Sequence, residues 1–521
     1  MHDIELLLLA LVVAVAGLSV LARAVGVPYP ILLVLGGLAL GFVPGMPVVE
    51  LPPELVLVAF LPPLLYWAAF FSSPRDLRAE ARPIALTAVL LVLITTTAVA
   101  VVARALVPGL PWPAAFALGA IVSPTDPLAA TAIGRRLGVP RRLITILEGE
   151  SLVNDATALV AYRVAVAAGV GGGFVIWQAG LRFVVGASGG VAVGLLVGWL
   201  VAELRRRLDD PVVEIVVSVV TGYAAYLPAE QLGVSGVLAA VTAGLYVGWR
   251  APELTSAATR LLGFSFWEVV VYLANAVLFM LVGLQLHPIL SGLGGTSAAV
   301  LIGQATLVSA VVIVVRIAFG FSVPYVIRLL DRRPAQVARR VDPRQRLVVG
   351  WSGMRGAVSL AAALALPLNF PFRNLILFLT FAVILATLVV QGLTLPALIR
   401  RLGVRSDGTE EQEEVRARLA ATDAALERLQ ELAAAEWTRD DTVDRLQGLY
   451  QFRRRRLKSR VGMVEDDGTE DRSLAYQRLV RELLEAQRHA IVQLRNQGAI
   501  NNEVMHRLER ELDLEDNRLE I

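Results

Sequence analysis

The chain has 521 residues, 56% of them hydrophobic and 18% charged, against about 25% charged in ordinary soluble domains, so an ordinary globular protein is excluded and a membrane protein is indicated. The absence of cysteine excludes disulfide frameworks, thiolate metal sites and cysteine nucleophiles. A net charge of +3 is too small for a nucleic-acid binder, and with Lys458 as the sole lysine the cationic work falls on arginine.

In chain order, about thirteen apolar runs have spanning length. They lie near 4–22, 29–44, 54–71, 83–107, 113–133, 142–168, 174–202, 211–227, 232–249, 267–287, 297–330, 346–367 and 374–400. The first lacks a basic n-region and reads as a span, not a cleaved signal peptide. The expected fold is therefore an all-α polytopic membrane protein. Alternate loops are basic: Arg23; Arg75, Arg78 and Arg82; Arg135, Arg136, Arg141 and Arg142; Arg205, Arg206 and Arg207; Arg250 and Arg260; and the arginines of 332–346. The other loops are nearly bare, with Arg373 their one clear basic residue. The positive-inside rule then places the N-terminus outside and the C-terminus in the cytoplasm.

The chain divides into a membrane domain over 1–402 and a charged, helix-favouring tail over 403–521. In the tail Leu426, Leu429 and Leu432 fall at helical spacing, and breaks at 466–469 and 501–502 separate several helices. The tail reads as a solvated helical bundle and carries no phosphate-binding loop.

Ionisable groups at bilayer depth cost at least about 2.5 to 3.5 kcal/mol each, so each needs a partner or a task. Three stretches carry them. In Ser123-Pro124-Thr125-Asp126-Pro127 two prolines unwind the fifth run and free carbonyls, and Thr125 and Asp126 add the hard oxygen donors that suit Na+. In Glu148-Gly149-Glu150-Ser151-Leu152-Val153-Asn154-Asp155, Ser151 and Asp155 share one helical stripe and Glu150 and Asn154 an adjoining one. Asp155 is well inside its run and is the candidate carboxylate for which a proton and a cation compete. Glu148 is expected to pair with Arg141 or Arg142. In Gly350-Trp351-Ser352-Gly353-Met354-Arg355-Gly356 three glycines around a deep arginine indicate a second interrupted helix, in which Arg355 pairs with an acid or caps half-helix carbonyls. One interruption in each half of the chain is the pattern of inverted-repeat transporters.

Other polar points read structurally. Arg316, Asn275 and Gln391 are expected to be hydrogen-bonding or ion-pair partners, and Gly186, Gly190, Gly194 and Gly198 a close-packing stripe. Of the four histidines only His287 is near a span, so no histidine metal cluster is expected.

With these motifs in place, and with Leu61-Pro62-Pro63-Leu64-Leu65 and Gly353-Met354-Arg355-Gly356-Ala357, the chain resembles the monovalent cation:proton antiporters, in the branch of bacterial NhaP-type exchangers and eukaryotic sodium/proton exchangers. The resemblance implies thirteen spans, two crossing discontinuous helices, a homodimer and alternating access, with 1–402 as the exchange domain. It makes Asp155 the ion- and proton-binding carboxylate, with Thr125, Asp126 and Ser151 completing the cation site and Na+ held at Thr125, Ser151 and Asp155. Ser123 and Asn154 support the site, and Glu150 is implied to be the partner of Arg355. Asn154 stands where electrogenic members have a second aspartate. The implied function is exchange of Na+, with Li+ or K+ as alternatives, for H+ across the cell membrane, electroneutral and without a cofactor. A K+/H+ antiporter of the same fold is the alternative reading. An intramembrane aspartyl protease built on Asp126 and Asp155 is disfavoured, because Asp126 sits in a proline break and Asp155 lacks a Gly-x-Gly-Asp setting.

Overall fold

The computed structural model describes residues 2–43, 53–171, 176–285, 289–290, 293, 297–330, 341–406, 408–460 and 468–519. It forms two compact units, Met1–Arg405 and Ser406–Ile521. His287 and the arginines between 332 and 340 lie outside the described residues.

In the first unit the helices are α1 (His2–Val25), α2 (Tyr29–Gly41), α3 (Pro53–Phe71), α4 (Pro74–Ala79), α5 (Ala81–Ala85) and α6 (Val92–Leu106). A π-helical turn over Leu86–Leu91 joins α5 to α6. The next are α7 (Trp112–Val122), α8 (Leu128–Arg136), α9 (Arg141–Gly169), α10 (Ile176–Arg205), α11 (Pro211–Gln231), α12 (Gly236–Leu254), α13 (Ala257–Leu284) and α14 (Ala298–Leu330). The unit closes with α15 (Pro343–Trp351), α16 (Ala357–Leu364), α17 (Arg373–Ala386), a π-helical turn over Thr387–Gln391 and α18 (Gly392–Leu402). Helix occupies every apolar run, and two runs are split into half-helix pairs, α7–α8 and α15–α16. Among the described residues six helices are long and apolar enough to cross a membrane, and several shorter apolar helices accompany them.

Side-chain caps set several starts. Ser73 accepts from Asp76 N, Asp210 from Val212 N and Asp342 from Arg344 N, each just before a proline at the first helical position, where the missing N–H costs nothing. Ser256 accepts from Thr259 N and starts α13 at Ala257, ten residues before the apolar run near 267. The cap, not the hydropathy, marks the boundary.

The helices pack as two groups. In one, α10, α11 and α3 surround α12, while α1 and α2 lie on α13. In the other, α6 and α9 flank α7, and α14 packs on α6, α15 and α17. We call the first the scaffold bundle and the second the core bundle. The glycine stripe of α10 joins helices within the scaffold. A Cβ at Gly190 would lie 2.5 Å from Ser235 O, at Gly194 2.4 Å from Ala239 O, and at Gly198 3.2 Å from Tyr246. Gly186 has nothing within 4 Å of such an atom, and it contributes its carbonyl, which accepts from Ser235 N at 3.0 Å.

The second unit consists of α19 (Thr409–Ala433), α20 (Asp440–Arg460), α21 (Thr469–Asn496) and α22 (Asn502–Leu519). Arg488 on α21 reaches Asp513 at 2.8 Å and Asp516 at 3.4 Å on α22. The break between Ala433 and Asp440 adds one helix boundary to those expected from the sequence.

Gly194→Leu is expected to force α10 from α12 and cost about 1–3 kcal/mol as overpacking, read as a smaller monodisperse fraction after heating in detergent. Gly186→Ala should behave as the unsubstituted protein in the same assay, since its added carbon meets nothing.

Candidate functional site

The site begins with two interruptions that touch. After Val122 the chain leaves the helix through Ser123, Pro124, Thr125, Asp126 and Pro127, and after Trp351 through Ser352, Gly353, Met354, Arg355 and Gly356. Asp126 N donates to Met354 O at 2.8 Å, so one break hydrogen-bonds the other. Arg355 is buried and reaches the end of α7: its Nε donates to Val122 O at 2.9 Å and its Nη2 to Ser123 O at 3.5 Å. Its Nη1 donates to Gly353 O, and its backbone N–H donates to Thr387 Oγ1 at 3.1 Å, from the π-helical turn. A guanidinium thus satisfies carbonyls left by both broken helices and lies at the negative end of the α7 dipole.

Gly356 lets the breaks approach. A Cβ there would fall 1.9 Å from Asp126 Oδ2. The other oxygen of Asp126 accepts from Leu128 N at 2.9 Å and caps α8. Ser123 Oγ donates to Ala120 O at 3.0 Å and supports the end of α7.

Helix α9 carries both polar stripes alongside the crossing. Glu150 accepts from Arg316 Nη2 at 3.0 Å, from Arg316 Nη1, and from Thr125 Oγ1 at 2.9 Å. Asn154 Nδ2 donates to Thr125 Oγ1 at 3.0 Å and to Thr125 O at 3.4 Å. The Thr125 hydroxyl, having donated once and accepted once, keeps one lone pair. The second stripe, Ser151 and Asp155, faces a cavity of about 470 Å³ together with Thr125, Asp126 and Asn275.

Two expected pairings are corrected. Glu150 pairs with Arg316 of α14 and not with Arg355, because the carbonyls of the crossing already occupy the Arg355 guanidinium. Glu148 pairs with Arg135 at 2.7 Å and not with Arg141 or Arg142. Those two meet Asp76 and Glu80, each at 2.8 Å. Arg141 lies about 10 Å from Glu148 along the helix axis at 1.5 Å per residue, while the turn after α8 brings Arg135 beside it.

Asp155 differs from its neighbours. It is 4% exposed and makes no hydrogen bond or ion pair with any described residue, whereas Glu150, Arg316 and Arg355 are all partnered. A buried carboxylate without a protein partner needs a proton or a cation to become neutral. The cavity runs from Asp155 to the solvent-exposed Arg135–Glu148 pair. Leu65 and Leu152, which line the cavity, pack with Ala156, Tyr226, Val237 and Val241, and there the bundles close on each other. Beyond that seal Arg163 of α9 pairs with Glu230 of α11 at 2.6 Å. Arg163, which the hydropathy places inside a span, is half exposed.

Among the described residues no group of three or more His, Asp or Glu side chains gathers to hold a metal. The oxygens available to a cation are the carboxylates of Asp155 and Asp126, hydroxyls and freed carbonyls, a mixed set that can release what it binds. Sequence reading missed Thr387 and Ser359; Thr387 holds the Arg355 backbone, and Ser359 of α16 lines the cavity. Neither has a local signal, since lone hydroxyls are common in spanning helices.

An all-helical membrane bundle whose two broken helices cross beside a solvent-reached carboxylate defines a secondary transporter of the inverted-repeat class. A profile described as "Sodium/hydrogen exchanger, transmembrane" matches residues 8–401, and the chain belongs to that family. It is accordingly a multi-pass membrane antiporter of cations and protons, not an enzyme. An uncharacterized Na+/H+ exchanger of Mycobacterium tuberculosis (strain ATCC 25618 / H37Rv) is 38% identical over 98% of this chain and 95% of its own. A Na+/H+ antiporter of Aphanothece halophytica is 35% identical over 77% of this chain and 74% of its own. The solved structure of a sodium proton antiporter from Methanocaldococcus jannaschii at pH 8 shares the fold, with a TM-score of 0.59 and 22% identity over 77% of this chain and 99% of that one.

Removing one member of a buried ion pair costs about 3–5 kcal/mol, and removing both far less. Arg316→Leu should therefore lower thermal stability strongly, and adding Glu150→Leu should return part of the loss. Arg355→Leu combined with Glu150→Leu should show no such compensation in the same unfolding assay.

Proposed function

We propose that Asp155 is the exchange carboxylate, binding one Na+ or one H+ in turn, with Thr125 and Ser151 completing the cation's shell and Asp126 shaping it. The observation that carries this reading is that among the described residues Asp155 alone, of the buried charged groups around the crossing, faces the cavity with no described side chain or backbone group paired to it. Protonated, the site is neutral; with Na+ in place of the proton it is neutral again. An empty, ionised Asp155 would have to pass the apolar seal at a cost of several kcal/mol. Only the two loaded forms then cross, and this restriction couples the ions.

The cavity reaches the loops rich in arginine, which supports a cytoplasm-facing state, an outside N-terminus and a cytoplasmic tail over 403–521. The split into a core bundle holding the ligands and a scaffold bundle supports alternating access by movement of one against the other, in a homodimer in the cell membrane. The mixed oxygen set suits Na+, with Li+ or K+ as competing cargo.

Asp155→Asn should abolish Na+-driven pH change in proteoliposomes while yield and thermal stability stay near normal. Substantial retained exchange in a well-folded variant would refute the assignment.

Exchange should also be electroneutral, because Asn154 does not titrate, Glu150 is held by Arg316 and Asp126 caps α8. Clamping vesicles with K+ and valinomycin at zero and at inside-negative potential should give equal initial Na+-driven rates. A second moving charge would add about 2.3 kcal/mol per 100 mV and make the rates diverge.

A further inference from the structure

The cavity has on its scaffold side a buried amide that no role yet accounts for. Asn275 of α13 lines it across from Asp155, Ser151 and Thr125. The residue is 7% exposed, and its Nδ2 donates to Val271 O, one turn earlier, at 2.9 Å. A carbonyl accepts only from the amide nitrogen, so this bond fixes which way the amide is turned. It leaves Oδ1 with no donor among the described residues, and Oδ1 is not among the polar atoms sealed in protein without a partner. Its open surface is therefore the cavity. Buried amide oxygens are normally satisfied, so Oδ1 is left to what enters the cavity, water or an ion.

We infer that Asn275 Oδ1 supplies an oxygen to the shell of the incoming cation, as the scaffold's contribution to a site otherwise carried by the core. The inference rests on Asp155 being the exchange carboxylate. Because α13 and α9 belong to different bundles, the contact exists while this cavity is open and is lost when the core moves. Asn275 therefore sets the apparent affinity on one face of the membrane and not on the other. A packing role makes a different demand: leucine, of similar size, would then serve as well.

The test measures the apparent KM for Na+ in right-side-out and in everted membrane vesicles for the unsubstituted protein, Asn275→Leu and Asn275→Asp, with thermal unfolding of each purified protein. Asn275→Leu should raise KM about tenfold on one face only, with the maximal rate within about twofold. Asn275→Asp, which keeps an oxygen at that position, should return most of the affinity. An unchanged KM on both faces overturns the inference. So does an equal rise on both faces, or a fall in rate and stability with KM intact. If Asn275→Leu does not fold, Asn275→Ala is read by the same criteria. Retained exchange in Asp155→Asn would instead refute the site itself, whatever the Asn275 variants do.

Discussion

Carbonyls freed inside a membrane must find donors, and the rest of this structure depends on how that requirement is met. Two half-helix pairs leave such carbonyls at one point, and Arg355 answers them with Nε on Val122 O and Nη1 on Gly353 O. A lysine would not match this fork of donors, nor would it stay reliably charged in a dry interior. With its guanidinium committed to backbone, Arg355 is not the counterion of Glu150, and that duty passes to Arg316.

The consequence is a separation of charges by task. Glu150 with Arg316 forms a closed pair that also orients Thr125, while Asn154 holds the same threonine from the adjoining turn. Thr125 is thereby fixed in direction by one acid that is already paired and one uncharged amide. Asp155 faces the cavity from the neighbouring stripe of the same helix, so the 3.6-residue period of α9 separates the paired acid from the one that faces the cavity.

Much of this was legible in the sequence, and the failures have separate physical causes. The prolines of 123–127 and the glycines of 350–356 marked the breaks because they act on the backbone locally. Asp155 stood out because nothing basic lies near it in its run. Arg355 caps half-helix carbonyls, one of the two roles expected of it, while the partners of Glu150 and Glu148 were misjudged because pairing is set by packing: Arg316 is 166 residues from Glu150, and only the packing of α14 brings them together. The early start of α13 had a local signal, Ser256, that hydropathy alone overrode. The glycine stripe of α10 was read correctly for Gly190, Gly194 and Gly198, but periodicity could not show that at Gly186 the neighbour is met by the carbonyl and not at the Cβ position.

The hydrogen bond from Asp126 N to Met354 O and the grip of Arg355 on the end of α7 tie the two breaks into a single body, and Glu150 ties α9 to the same body through Thr125. In the proposed site, a cation held by Thr125, Ser151 and Asp155 would be ferried with those three ligands intact, instead of being handed between two half-sites. Such a carrier has one intrinsic dissociation constant, shared by both sides of the bilayer. Any inequality between inward and outward affinities must come from the stationary walls past which the cargo travels and from the equilibrium between its two resting positions.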